Sequence, residues 1–137
     1  MKKILMLAMV VGLLSGCVEG TYQHSSTHYF YKSLPPSKYK AFVIGDPGPQ
    51  LEPEYYEILG TVSSEVVKIK KSEIGCTLAI YLLQSEAENH GADALIHVNC
   101  VVEMRTARGT GIAIIFKNRY ESLKRLEEIG AKVKRYN

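Results

Sequence analysis

The stretch from Cys76 to Cys100 constrains this chain most. It reads as a helix, a stop and a returning strand, with a cysteine at each end. Over Thr77–His90 apolar residues recur at Ala79, Leu82, Leu83 and Ala87, the three- and four-residue spacing of one helix face, while Gln84, Glu86 and Glu88 point elsewhere. Gly91 follows, the residue type that most easily takes the left-handed geometry closing a helix. From Ala94 to Met104 the period changes to two. Ala94, Ile96, Val98, Cys100, Val102 and Met104 share one face, and His97, Asn99 and Glu103 the other. The helix over Thr77–His90 climbs ~21 Å. A strand rising ~3.3 Å per residue regains that height in about six or seven residues, which brings the chain from Asp93 back to Asn99 or Cys100. Cys100 also has the parity of Ile96 and Val98, the face expected to meet the helix. The spacing therefore predicts a Cys76–Cys100 disulfide.

Around this unit the pattern is mostly strand. Tyr39–Ile44 is expected to be a first strand, and Gly45-Asp46-Pro47-Gly48-Pro49 a loop. Tyr55–Val62 reads as a second strand with Tyr56, Ile58, Gly60 and Val62 on one face, and Val66, Val67 and Ile69 as its extension or a further short strand. Ser72–Gly75 reads as a loop entering the helix. Arg105–Gly109 is expected to turn the chain into a short apolar strand, Gly111–Phe116. Tyr120–Ile129 reads as a charged helix with a thin stripe of Leu123, Leu126 and Ile129. The expected fold class is α+β: a small antiparallel sheet packed against one main helix, plus a charged C-terminal helix. Residues 39–118 are expected to form the domain and residues 119–137 a C-terminal helix and basic tail. A chain of 137 residues suits one domain.

The first residues say why the two cysteines should be oxidised. Lys2 and Lys3 precede Ile4–Leu14, eleven uncharged residues rich in Leu, Met and Val. Such a run suits the core of a secretion signal and falls short of the ~20 residues of a spanning helix. It ends Leu14-Ser15-Gly16-Cys17, which resembles the lipobox of bacterial lipoproteins. That resemblance implies that residues 1–16 are a signal peptide and that the Cys17 thiol receives diacylglycerol. Cleavage before Cys17 and acylation of the new amino terminus would follow. Buried acyl chains contribute ~0.8 kcal/mol per CH₂, so several anchor a protein firmly. Val18 stands where an aspartate would resemble the inner-membrane retention signal of Gram-negative lipoproteins, so outer-membrane anchoring is expected. Residues 17–38 then read as a lipidated N-terminus and flexible tether. They are polar from Gly20 to His28, carry the aromatic run Tyr29-Phe30-Tyr31, and meet Pro35-Pro36, which continues neither a helix nor a central strand. With Cys17 lipidated, Cys76 and Cys100 are the remaining cysteines, and secretion places them in an oxidising compartment.

The net charge of +3 becomes +1 once Lys2 and Lys3 are removed, since 17 − 2 leaves 15 basic against 14 acidic residues. A nearly neutral domain lacks the concentrated basic face of a general nucleic-acid binder.

The run Ile58-Leu59-Gly60-Thr61-Val62-Ser63, then a helix, then Gly91-Ala92-Asp93-Ala94-Leu95-Ile96-His97-Val98-Asn99-Cys100, resembles two groups. One is the sensor lipoproteins of the Rcs envelope-stress pathway; the other is a family of small proteins with the heavy-metal-binding type of fold. Both carry an L-G-x-V strand and a helix that stops in a short turn before an apolar strand. The sensor places a cysteine where Cys100 stands. The resemblance spans roughly residues 55–117 and implies the fold, with envelope-stress sensing as the associated role. The sensor has four domain cysteines in two bonds and a long proline-rich tether. This chain has two domain cysteines and a shorter tether.

Catalytic patterns are sparse. H-E-x-x-H, G-x-S-x-G and G-x-x-x-x-G-K are absent from the sequence. Ser37-Lys38-Tyr39-Lys40 matches S-x-x-K, but it follows Pro35-Pro36 and enters an expected strand, where the two side chains diverge. His24 and His28 are four apart and are the weak metal candidates, since on a helix both imidazoles would reach one ion. His97 reads as a sheet histidine and His90 as a helix-end histidine favoured by the dipole. Arg108-Gly109-Thr110-Gly111 reads as a hairpin, and Lys117–Asn137, with seven basic and three acidic residues, as a solvated basic end.

The expected function is that of a non-enzymatic, lipid-anchored envelope protein acting by protein–protein interaction, in envelope-stress sensing or assembly support. Its domain is expected in the periplasm. The expected partners are the membrane, through the lipid on Cys17, and an envelope protein, with no nucleic acid and no cofactor. A metal-binding module is the alternative, and a peptidoglycan-binding protein the lesser one.

Overall fold

The computed structural model describes residues 23–45, 47–67 and 72–136, so Cys17 and the expected signal segment lie outside the described residues. Among the described residues six strands form one sheet: β1 (Gln23–Phe30), β2 (Phe42–Ile44), β3 (Tyr56–Val67), β4 (Ala94–Glu103), β5 (Thr106–Phe116) and β6 (Val133–Lys134), in the order β1-β3-β5-β4-β2-β6. Two helices, α1 (Ser72–Asn89) and α2 (Arg119–Glu128), complete the α+β architecture. None of the described helices is long and apolar enough to cross a membrane.

The sheet is mixed, a correction to the expected antiparallel one, because β2 runs parallel to β4. The cause is the route of residues 31–41. This segment lies along the C-terminal end of α1, where the Leu34 amide donates to the His90 carbonyl (3.1 Å) and the Ser37 amide to the Glu88 carbonyl (2.9 Å). It delivers β2 to the sheet at the end where α1 delivers β4, so both strands start there and run the same way. α1 closes as predicted at Gly91, whose φ is +83°. The Ala92 amide donates to the Ala87 carbonyl and the Gly91 amide to the Glu88 carbonyl, the paired bonds of a Schellman stop.

The expected tether is also corrected. Residues 23–30 form an edge strand paired with β3 from Gln23↔Val67 to Phe30↔Gly60. Gly60 allows this: a Cβ there would lie 2.2 Å from the Tyr29 carbonyl oxygen and 2.6 Å from the Phe30 Cα. Residues 119–136, expected as a helix and tail beyond the domain, pack into it. Leu126 is buried against Ile44, Ile96, Ile114 and Phe116, and β6 pairs with β2. The two helices cover opposite faces. α1 packs with Leu59, Val62, Leu95 and Ala113 on one, and Ala94, Ile96, Ile112 and Ile114, the neighbours of Leu95 and Ala113, turn toward the α2 layer on the other.

Two bulges override the simple alternation. In β4, Ile96 pairs with Ile112 and Asn99 with Thr110, so His97 and Val98 share the place opposite Gly111, and His97 takes φ +51°. The inserted residue reverses parity. Leu95, Val98 and Cys100 face α1, while Ala94 and Ile96 face the α2 layer. In β3 the register slips between Ile58 and Gly60, which buries Leu59 and leaves Ile58 exposed. The β4–β5 hairpin turns at Met104-Arg105, both at positive φ, rather than over Arg105–Gly109. Gly109 belongs to β5 because α1 needs it small. A Cβ there would stand 3.0 Å from Ser64 Oγ and 3.2 Å from Leu83 Cδ1.

Candidate functional site

β1 alternates, so His28 and Phe30 point to the α1 side while Thr27 and Tyr29 point outward. On α1, Glu86 and the helix-end His90 stand one turn apart on the same face. The two elements meet there. His28 Nδ1 lies 2.5 Å from Glu86 Oε1, and His90 Nε2 lies 3.4 Å from the same oxygen. The imidazole centroids are 4.4 Å apart. His90 is held on two further sides: Phe30 stacks on its ring at 4.0 Å, and Ser33 Oγ lies 2.7 Å from its Nδ1. Glu86 and His90 are half-buried, and His28 is 42% exposed.

The sequence candidates fare differently. Cys76 and Cys100 form a disulfide with Cα atoms 5.8 Å apart. Cys100 faces α1 together with Val98, as expected, but not with Ile96, because the bulge intervenes. His24 and His28 lie on a strand, not a helix. Four residues of strand separate them by ~13 Å, so the helical pairing that made them weak metal candidates does not form. His28 is instead joined to Glu86 and His90, the latter expected only to answer the helix dipole. From the sequence Glu86 reads only as a residue of the polar helix side. Its one local signal is the four-residue spacing to His90, and nothing in the sequence pairs either with His28. His97 is exposed at the β4 bulge, on the far side of the sheet from α1. Ser37 Oγ accepts from the Tyr39 amide at 3.2 Å in an irregular segment, so Ser37 and Lys40 form no helical pair.

A second feature is the outer sheet face. α2 covers only the half nearest β2, and the half built by β1, β3, β5 and the end of β4 is open. Rows of small polar side chains cross it, such as Thr27–Ser63–Thr110–Asn99, where Thr27 Oγ1 and Ser63 Oγ are hydrogen-bonded at 2.5 Å. The adjacent row holds the Glu65–Arg108 ion pair (3.3 Å). A shallow depression of about 480 Å³ lies along it between Tyr29, Thr61, Ser63 and Thr110. Tyr29 and Tyr31 are exposed and meet edge to face, with centroids 5.2 Å apart.

Elsewhere, charges hold the fold. Asp93 accepts from the Phe116 amide (2.8 Å) and from Arg119 Nη1 (3.2 Å), and the Arg119 guanidinium lies 4.1 Å from the centroid of the Tyr39 ring. Arg125 Nε donates to both oxygens of Glu52 (2.9 and 3.2 Å). Hydrogen bonding from that guanidinium holds the Glu52 carboxyl below its ordinary value of 4.5 and raises the Arg125 pKa.

No family model and no curated protein matches the chain. A crystal structure of a Francisella virulence factor, FvfA, is similar at a TM-score of 0.48 and 16% identity, covering 67% of this chain and 96% of its own.

Proposed function

We propose that the chain is a lipid-anchored envelope protein, not an enzyme, whose domain receives a protein partner on its open sheet face. The observation that carries this reading is the uncovered outer half of the β1-β3-β5-β4 sheet, four strands wide, lined by small polar side chains and flanked by exposed Tyr29 and Tyr31. Shallow relief of this kind suits a broad contact better than the enclosed, convergent site of a small-molecule enzyme. The lipobox ending in Cys17 supports the anchor, and envelope-stress sensing or assembly support is the role that fits the resemblance noted from the sequence.

The strand at residues 23–30 sharpens the reading. If Cys17 carries the lipid, six residue steps separate it from Gln23, a reach of at most about 22 Å at ~3.6 Å per residue. The domain then works beside the membrane, and β1 faces a partner that is itself at the membrane.

The test is site-specific photocrosslinking in the native envelope, with the probe at Thr27 or Thr110 on the open face and at Glu121 on α2 as the control position. One envelope protein crosslinked from the open face, and lost with Cys17→Ala, is the expected result. Crosslinks to cell-wall material alone, or equal yields from Glu121 and in the Cys17→Ala form, overturn it.

A further inference from the structure

We propose that His28, Glu86 and His90 bind one divalent transition-metal ion of the zinc class. The inference is independent of the anchor and of the docking face. Three donors of kinds favoured by such ions, two imidazoles and a carboxylate, lie within 4.8 Å of one another. Two come from one helix turn and the third from an edge strand, so an ion bound there ties β1 to α1. Imidazole ligands select against Mg²⁺ and Ca²⁺, which take oxygen.

The geometry is close to what a metal needs. Ligands about 2.0–2.1 Å from a tetrahedral ion lie about 3.3 Å from each other. The His90 Nε2–Glu86 Oε1 distance is 3.4 Å already, and His28 Nδ1 has to withdraw from its 2.5 Å contact by less than an ångström. His28 is the most exposed of the three and stands on an edge strand, so it is the ligand free to move.

The surroundings of His90 fit a ligand. With Nε2 turned to the cluster, its Nδ1–H donates to Ser33 Oγ at 2.7 Å, the outer hydrogen bond that sets the tautomer of a metal-bound histidine. Phe30 stacked on the ring fixes its plane. The cluster also sits at the C-terminal end of α1, where the helix dipole favours a cation. A metal ion bound by the three groups leaves its remaining coordination positions to water or to a ligand from outside.

The test is titration of the whole chain in detergent with ZnCl₂ by calorimetry, with metal content measured after dialysis. One zinc per chain is expected. His28→Ala, Glu86→Gln and His90→Ala should each weaken binding by at least tenfold, and Ser33→Ala by about 10- to 100-fold. His24→Ala and His97→Ala should leave binding unchanged. X-ray absorption of the zinc-loaded wild-type chain reads the site without any substitution that could disturb folding. Two imidazoles and oxygen neighbours at about 2.0–2.1 Å are expected. No retained zinc, retention unaffected by combined His28→Ala and His90→Ala, or sulfur in the absorption spectrum would each overturn the assignment in favour of a metal-free ion pair or adventitious binding.

Discussion

Removing the Cys76–Cys100 bond should cost the domain about 3.5 kcal/mol. The cysteines are 24 positions apart, so the bond closes a loop of 24 + 1 = 25 residues that holds α1 from Cys76 onward, its stop at Gly91 and β4 as far as Cys100. For that length the chain-entropy relation gives about 11.7 cal/mol/K, or about 3.5 kcal/mol at 25 °C, all of it acting on the unfolded chain. The loss from the folded side is small by comparison. Both cysteines are only half-buried, and Val66, Ala79 and Ala107 keep packing around position 100. Urea unfolding of the oxidised chain, the reduced chain and the Cys76→Ala/Cys100→Ala variant measures it. The two forms lacking the bond should agree with each other. Both should unfold at lower urea than the oxidised chain, with a larger dependence on denaturant because their unfolded state exposes more surface. Their melting temperatures should fall by roughly 10–20 °C. A difference below about 1 kcal/mol, with unchanged denaturant dependence, would refute the reasoning, because the bond would then restrict no conformations that the unfolded chain otherwise samples.

Two further outcomes follow from particular contacts. The folded-state pKa of Glu52 lies below its unfolded value because Arg125 hydrogen-bonds the carboxylate. Its contribution is therefore present above the ordinary carboxylate value of 4.5 and lost as pH falls through the lower folded value. Glu52→Gln should flatten that part of the stability–pH curve, and an unchanged acid slope would show the pair to be idle. Gly60→Ala places a methyl group against the Tyr29 carbonyl and Phe30 Cα, and should destabilise the domain by roughly 1–3 kcal/mol. Hydrogen exchange should show β1 amides losing protection before those of β4 and β5, and uniform loss across the sheet would place the strain elsewhere.

How much was legible can be argued from individual residues. The stop at Gly91 and the apolar stripe of Ala79, Leu83 and Ala87 are local signals, and the helix they mark forms, although it begins at Ser72, where a loop over Ser72–Gly75 is expected from the sequence. The stripe of the last helix was equally plain. That Leu126 is sealed into a second core layer was not, since burial depends on what faces it. β1 was hidden because its polar run Gln23–Thr27 resembles a linker: at an exposed edge, pairing comes from the backbone and from the glycine at position 60, not from apolar alternation. The Arg105–Gly109 turn was misplaced for a related reason. Gly109 is small to admit α1, whereas the turn itself uses Met104 and Arg105.

What the sequence by itself determined was the helix–stop–strand unit and the pairing of Cys76 with Cys100, because chain length and rise per residue leave the two ends of that unit no other relation. What only the tertiary structure decided was which side chains share a face and which distant groups meet. One inserted residue at His97 reverses the parity of β4. His28, far from Glu86 and His90 in sequence, reaches them because β1 returns to the edge of the sheet beside α1. Local periodicity records neither event, since both arise from register, and register is set by the partner strand.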